Sequence, residues 1–194
     1  MFKVLDNWIP ASLVTELNDI FVSDKIQWVY KPATVNPENV EEMKHQFPEI
    51  EETHQFVHLL YSDNQIQSLF WDTVRPLLHF YEYHNNCKIV QLGRIKANML
   101  FQDSTSTTTH NTPHIDMYEE GWTSLVYYVN DSDGGTVMFD NDLNISEINK
   151  YNQGSAVYFS SNVWHSSTNP KQSYRRIVIN MIFKEEKKIN DSSK

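Results

Sequence analysis

Thr123-Ser124-Leu125-Val126-Tyr127-Tyr128-Val129, then Asp133-Gly134-Gly135, then Thr136-Val137-Met138-Phe139, is the stretch that decides the fold class. β-Branched and aromatic residues dominate both runs, and an Asp-Gly turn separates them, which reads as two strands joined as a hairpin. Downstream, Tyr151 to Ser160, with Gly154 near its start, and Arg176 to Phe183 repeat the strand pattern. Upstream, Cys87 to Leu92 and Arg94 to Phe101 read as two more strands. In the second of these, Arg94, Lys96, Asn98 and Leu100 share one face, and Ile95, Ala97, Met99 and Phe101 the other. Polar side chains on one face imply either solvent or a polar cavity, and Asn98 is taken as a pocket residue on that basis. Short antiparallel strands separated by turns predict a mainly β fold with supporting helices, a sandwich or jelly roll.

The first half supplies the support. Phe2 to Pro10 reads as a short strand ended by a proline turn. Ser12 is placed to cap a helix with Leu13, Leu17, Ile20 and Phe21 at helical spacing, and Glu16 in the first turn suits its dipole. Gln27 to Tyr30 reads as a strand stopped by Pro32. From Pro37 to Thr53, Glu38, Glu41, Glu42, Glu49, Glu51 and Glu52 gather around Pro48, which reads as a solvated loop with a helical turn. Phe56 to Tyr61 alternates as a strand, so His54 and His58 are structural. Asp63 to Tyr83 carries an apolar stripe of Ile66, Leu69, Phe70, Val74, Leu77, Leu78 and Tyr81, a helix that Pro76 should kink or divide. His79 and His84 belong to that helix.

With 194 residues and 13% aromatics, the chain fits one compact domain, residues 1–184, followed by a charged tail over 185–194 that should fray. Within it, 1–93 holds strands and supporting helices and 94–183 the β core. A formal charge of −9 argues against bulk nucleic-acid binding, which needs clustered Lys and Arg. Cys87 is the only cysteine, so the chain has no internal disulfide and suits a reducing cytoplasm. No apolar run reaches membrane-spanning length.

Thr112-Pro113-His114-Ile115-Asp116 sits among these strands. A His and an Asp at i and i+2 in extended chain project from one face. His165, in Val163-Trp164-His165, follows the apolar run Ala156 to Phe159. Two imidazoles and one carboxylate form the donor set of a non-haem Fe(II) site, with coordination positions left open. Arg175 and Arg176 open the last strand, and only one can face the interior, since neighbours on a strand point oppositely. Arg suits a carboxylate because it is permanently charged and offers two parallel bonds. The Ser104 to Thr109 tract leads into His114 as a plain connection or a lid, and His110 is left outside the ligand set.

The order His114-x-Asp116, His165, then an Arg on the next strand resembles the Fe(II)/2-oxoglutarate-dependent oxygenase superfamily, its prolyl-hydroxylase-like branch in particular. Val126 to Asn130, the Gly134-Gly135 turn and the Phe159-to-His165 approach are similar to that family, over roughly residues 94–183. The resemblance implies a double-stranded β-helix, the cupin-like jelly roll. It implies iron held by His114, Asp116 and His165, which carry the chemistry, and 2-oxoglutarate as co-substrate. The far carboxylate of 2-oxoglutarate would rest on Arg176, preferred to Arg175 because Arg176-Ile177-Val178-Ile179 resembles the family's Arg-Ile-Ser-Ile strand. Tyr128 would help, since Val178 stands where many relatives carry a hydroxyl. The resemblance further implies hydroxylation of a peptide side chain such as proline or of a small metabolite, consuming dioxygen, releasing succinate and carbon dioxide, with ascorbate as a reductant. Two other readings keep the same ligands: a non-catalytic metal-binding module, and a zinc hydrolase with Glu119 or Glu120 as general base.

Overall fold

The computed structural model describes residues 2–50, 52–150 and 152–188. The chain starts with strand β1 (Lys3–Leu5), helix α1 (Ala11–Phe21), β2 (Val29–Lys31), helix α2 (Pro37–Lys44), β3 (Gln55–Ser62) and β4 (Gln65–Ile66). Helices α3 (Trp71–Val74) and α4 (Pro76–Asn85) follow, then a long strand β5 (Cys87–Phe101). The second half is β6 (Trp122–Tyr128), β7 (Thr136–Phe139), β8 (Ile145–Asn149), β9 (Ala156–Ser160), β10 (His165–Ser167) and β11 (Arg175–Lys187). The strands build two antiparallel sheets. The larger runs β1-β9-β6-β11-β5-β3-β2, with β4 attached to β3, and the smaller runs β10-β7-β8. This is the jelly-roll arrangement expected from the strand pattern.

Strand parity divides the molecule into two compartments. On β11, Ile177, Ile179, Met181 and Phe183 pack toward the helices, with Ile95, Ala97 and Met99 of β5 and Leu125 and Tyr127 of β6. Against them lie Leu13, Leu17 and Phe21 of α1 and Leu77, Leu78 and Tyr81 of α4. Leu17, Phe21, Leu77 and Tyr81 are fully buried, and each such apolar side chain contributes about 1.5–3 kcal/mol. The opposite face of the same strands looks toward the small sheet, where Val126, Tyr128, Val178 and Met138 form a second, smaller core with Val157 and Phe159. That face carries the polar residues of interest.

Several local expectations need correction. The proposed helix from Asp63 starts later. Asp63 and Asn64 have φ of 52° and 59° and make the β3–β4 turn, so Asp63 caps nothing, and Ile66 and Leu69 are exposed. Asn and Asp tolerate this left-handed region, and an apolar stripe alone could not reveal a turn there. Pro76 does divide the helical segment, standing in the first turn of α4. In α1 the N-cap residue is Pro10, Ser12 lies inside the helix, and no acidic side chain sits in the first turn. The acidic segment after Pro32 contains helix α2, entered through Pro37. Glu51 lies outside the described residues. The two strands expected around Gly93 are one, because β11 pairs with β5 from Cys87 through Phe101. A side chain at Gly93 would meet the Trp122 ring at 2.9 Å.

The turn at Asp133-Gly134-Gly135 does not close a hairpin. β6 lies in the large sheet and β7 in the small one. The Asp133 carboxylate instead accepts main-chain N–H bonds from Lys171, Gln172 and Ser173 at 2.9, 3.0 and 2.9 Å. This ties the turn to the loop before β11. Strand β9 begins at Ala156, after a turn with Gly154 at φ 85°; Tyr151 lies outside the described residues. The last strand runs past Phe183 to Lys187, since Glu185 accepts bonds from Tyr81 Oη (2.9 Å) and Thr123 Oγ1 (3.2 Å). Residues 189–194 of the expected tail lie outside the described residues. Among the described residues no helix is long and apolar enough to cross a membrane.

Candidate metal centre and its anion pocket

His114 and His165 are tied together through their main chains. His114 N–H donates to the His165 carbonyl at 2.9 Å and His165 N–H to the His114 carbonyl at 3.0 Å, an isolated antiparallel bridge from His114 to the first residue of β10. Asp116 N–H and Met117 N–H both donate to the Ser161 carbonyl at 3.1 Å. Backbone bonds therefore hold the His-x-Asp segment against the β9–β10 connection.

The side chains converge as a result. One ligand atom from each of His114, Asp116 and His165 lies within 4.8 Å of the others. The imidazole centroids are 4.3 Å apart, and His165 Nε2 is 3.5 Å from Asp116 Oδ2. His165 Nδ1 donates to the Val163 carbonyl at 2.9 Å, which leaves Nε2 with a free lone pair facing the cluster. Asp116 Oδ2 accepts from Ser124 Oγ at 2.7 Å and from Asn180 Nδ2 at 3.4 Å. Ser124 Oγ also bonds Ser161 Oγ at 2.8 Å, so the carboxylate is oriented from behind. Burial, and then the charge of His165, drop the His114 pKa to about 3. Burial by itself would raise Asp116, but His165, His114, Ser124 and Arg94 outweigh it and hold the carboxyl well below its usual range. A neutral imidazole and an ionised carboxylate are the protonation states that bind a metal. The cluster fits a divalent ion.

Beyond the cluster lies Arg176, 4% exposed, its guanidinium between the sheets. It donates to Thr136 Oγ1 at 3.1 Å and stands 5.4 Å from the centroid of the Tyr128 ring. Tyr128 Oη and Thr136 Oγ1 are 2.5 Å apart. Among the described residues no carboxylate reaches this guanidinium, and its Nε has no partner. Burial lowers the Arg176 pKa and raises that of Tyr128. Both shifts mark a dry site holding a cation that lacks an anion. Arg175 points the other way and donates to the Val22 carbonyl at 3.1 Å, as strand parity requires.

Gly134 and Gly135 make this packing possible. A Cβ at Gly134 would lie 2.8 Å from the Thr168 carbonyl and 2.9 Å from Arg176 Cδ, and one at Gly135 2.1 Å from the Asn149 carbonyl. Asn98 lines the same cavity as Arg176, His114 and His165, with its Oδ1 buried and unpartnered. Strand parity places Asn98, Tyr128 and Arg176 on the pocket face, and the backbone bonds bring His114, Asp116 and His165 together beside them. Parity also adds Ser124, Thr136 and Asn180. Ser124 is four before Tyr128 and Asn180 four after Arg176, so strand alternation alone placed both on the pocket face.

The remaining histidines stay out of the cluster. His58 bonds the Gln27 carbonyl and Ser68 Oγ, His54 stacks on Tyr30, and His84 bonds the Trp8 carbonyl. His110 is packed edge-on to Phe47 and Phe139. Glu119 bonds Lys184 Nζ at 2.6 Å and the Trp122 indole at 3.1 Å. Among the described residues, Asp116 is the one carboxylate lining either cavity beside the cluster.

A His-Asp-His cluster that could hold a metal stands on a jelly roll, and sequence comparison relates that β core to a known family. Residues 99–184, the β core that carries the cluster, match the model of the 2OG-Fe(II) oxygenase superfamily, and this match supports an oxygenase enzyme. No curated protein sequence matches the chain. Its fold is similar to that of a 2OG-Fe(II) oxygenase family oxidoreductase from Burkholderia pseudomallei (TM-score 0.66, 12% identity, covering 94% of this chain and 85% of that one). It is also similar to a prolyl-4-hydroxylase from Pseudomonas putida (TM-score 0.55, 15% identity, 94% and 92%). A third is a prolyl hydroxylase from Trichoplax adhaerens in complex with a hypoxia inducible factor peptide (TM-score 0.60, 12% identity, 94% and 83%).

Proposed function

We propose that this chain is an Fe(II)- and 2-oxoglutarate-dependent dioxygenase that hydroxylates an organic substrate, with His114, Asp116 and His165 as the iron ligands. One oxygenase domain over residues 1–184 carries the activity. The observation that carries the reading is the buried Arg176 guanidinium, which has no carboxylate partner among the described residues and stands in the cavity that His114 and His165 also line. A metal-storage module has no need of such a cation, and a zinc hydrolase would need a carboxylate base besides Asp116, which no described residue of either cavity provides.

Iron held by His114, Asp116 and His165 would supply open coordination positions for the 2-oxo acid and dioxygen chemistry. This chain's residues do the rest. Arg176 receives the far carboxylate of 2-oxoglutarate through two parallel N–H bonds. Thr136 and Tyr128 add hydroxyls beside it, and Thr136 on β7 stands in for the hydroxyl that Val178 lacks. Asn98 offers an unpartnered Oδ1 to the same pocket. Ser124 and Asn180 hold the Asp116 carboxylate toward the metal. The overall change is substrate, 2-oxoglutarate and dioxygen to hydroxylated substrate, succinate and carbon dioxide, with ascorbate serving to return oxidised iron to Fe(II). The buried, free Cys87 and the ferrous centre suit a reducing compartment, the cytoplasm.

Anaerobic addition of Fe(II) and 2-oxoglutarate tests the reading. The weak visible charge-transfer band of the chelate should form, and His114→Ala or Asp116→Ala should abolish it while circular dichroism stays unchanged. A folded protein that gives no band, or a band that survives both substitutions, would refute the ligand assignment.

A further inference from the structure

A second cavity, of about 640 Å³, opens on the other side of His114. It lies between β2, β3 and β5 and the Ile115–Asp116 segment. Thr34, Gln55, Lys96 and His114 line both this cavity and the one that holds Arg176, so the two spaces flank the metal-ligand cluster. The volume is that of an ordinary small-molecule site.

Its charge is unusual for this chain. Lys31, Arg94 and Lys96 line it, against the single carboxylate of Asp116, in a protein whose formal charge is −9. The nearby Glu52 is occupied, accepting from Thr34 N–H and Thr34 Oγ1 at 2.5 and 2.6 Å and from the Thr112 hydroxyl. Arg94 Nη2 stands 3.6 Å from Asp116 Oδ1 and remains partly exposed to the cavity. Lys96 is half-buried and has no hydrogen-bond or ion-pair partner among the described residues. Burial, then the charge of Arg94, pulls its pKa down to about 8 against the opposing pull of Asp116. Three cations against one carboxylate, which Arg94 already engages, complement an anion brought by a ligand.

Resting on the oxygenase reading, we infer that the substrate to be hydroxylated carries a carboxylate or phosphate group. Lys96 and Arg94 bind that group at the metal side of this cavity, and Lys31 stands at its rim. Val57 and Leu59, which line the cavity too, give the carbon skeleton an apolar wall. The two cationic ends then have separate tasks. Arg176 takes the co-substrate, and the Lys96–Arg94 pair orients the substrate so that one carbon of its skeleton faces the metal.

The test uses the 194-residue chain carrying Arg176→Met, which removes the cation of the neighbouring cavity, and reads saturation-transfer NMR without metal or 2-oxoglutarate. Propionate and methyl phosphate serve as the anionic probes, and propionamide is the neutral match. At least one anion should give a signal fivefold or more above propionamide, and the stronger of the two identifies the group. Lys96→Met and Lys96→Gln, made on the same chain, should each cut that signal fivefold or more, and Lys96→Arg should restore most of it. Equal signals from the anions and propionamide would overturn the inference, as would an anion signal that survives both Lys96 substitutions. A further arm measures 2-oxoglutarate binding to the metal-loaded Lys96→Met chain with Arg176 intact. A large loss there, with the anion signal retained, would assign Lys96 to the co-substrate and overturn the inference. Failure of the charge-transfer test with anion binding intact would sink the oxygenase reading alone.

Discussion

Replacing Arg176 by Met should make the ligand-free protein more stable and cost it most of its affinity for 2-oxoglutarate. The guanidinium is 4% exposed and has no carboxylate partner among the described residues. Its compensation is a bond to Thr136, the Tyr128 ring face and a hydrogen bond with the Tyr128 side chain. Removing a buried charge in favour of an apolar side chain of similar length stabilises by about 1–4 kcal/mol. The compensation above places this case near the low end, about 1–2 kcal/mol, or roughly 2–8 °C in Tm for a chain of this size. Thr136 and Tyr128 keep each other as partners in the variant, so the loss leaves few new orphans. For the ligand, truncating one side of a buried ion pair costs about 2–5 kcal/mol, or roughly 30-fold to several thousand-fold in Kd. Thermal unfolding with a divalent ion reads both effects. At 2-oxoglutarate one hundred times the wild-type Kd, the wild-type Tm should rise by roughly 5–11 °C, and the variant's by less than about 3 °C. An Arg176→Met protein that melts below wild type without ligand, or that keeps the full ligand shift, would refute the reasoning.

Three other perturbations follow from the same geometry. Ser124→Ala removes the 2.7 Å bond to Asp116 Oδ2 and the partner of Ser161; metal affinity, followed by chelator competition, should fall about 10–100-fold with secondary structure unchanged. Gly135→Ala puts a methyl group 2.1 Å from the Asn149 carbonyl and should cost about 3 kcal/mol or more in urea unfolding, through overpacking against main chain. Asp133 is shifted down to about 2: burial would raise it, but the N–H bonds from residues 171–173 lower it more. Its folded pKa lies below the unfolded value, so its stabilisation is present above about pH 4 and disappears as pH falls toward 2. Asp133→Asn should therefore lower Tm at pH 7 and narrow its gap from wild type near pH 2.

How much of this was readable beforehand depended on which signal each feature left. Strand alternation predicted the face carrying Lys96 and Asn98 on β5, and the choice of Arg176 over Arg175 matches the direction each side chain takes. The His114-x-Asp116 and His165 spacing, set among strand patterns, sufficed to propose a cluster whose members meet within 4.8 Å. Turns that rely on long-range partners were misread. Asp133-Gly134-Gly135 has the composition of a hairpin turn, but its carboxylate is satisfied by residues 171–173, a pairing that no local window contains. The β3–β4 turn failed for a different reason, because Asp63 and Asn64 look equally suited to capping a helix. The short strands β8 and β10 were missed because Ile145–Asn149 is almost wholly exposed and His165–Ser167 has too few residues to show a period. Ser124, Thr136 and Asn180 were within reach of parity counting, but small polar residues on a strand face draw notice only once a ligand is placed there.

The reciprocal main-chain bonds between His114 and His165 carry a consequence for how the centre assembles. Two of the three donors are already spaced by peptide groups before any ion arrives, so capture of the ion requires little ordering of the polypeptide. The same bridge fastens His114 to strand β10, whose neighbour in the small sheet is β7, home of Thr136. Peeling that three-stranded flap away would scatter the imidazoles and dismantle the carboxylate cradle in a single event. Iron retention and the integrity of the smaller sheet should therefore decline along one curve under heat or denaturant.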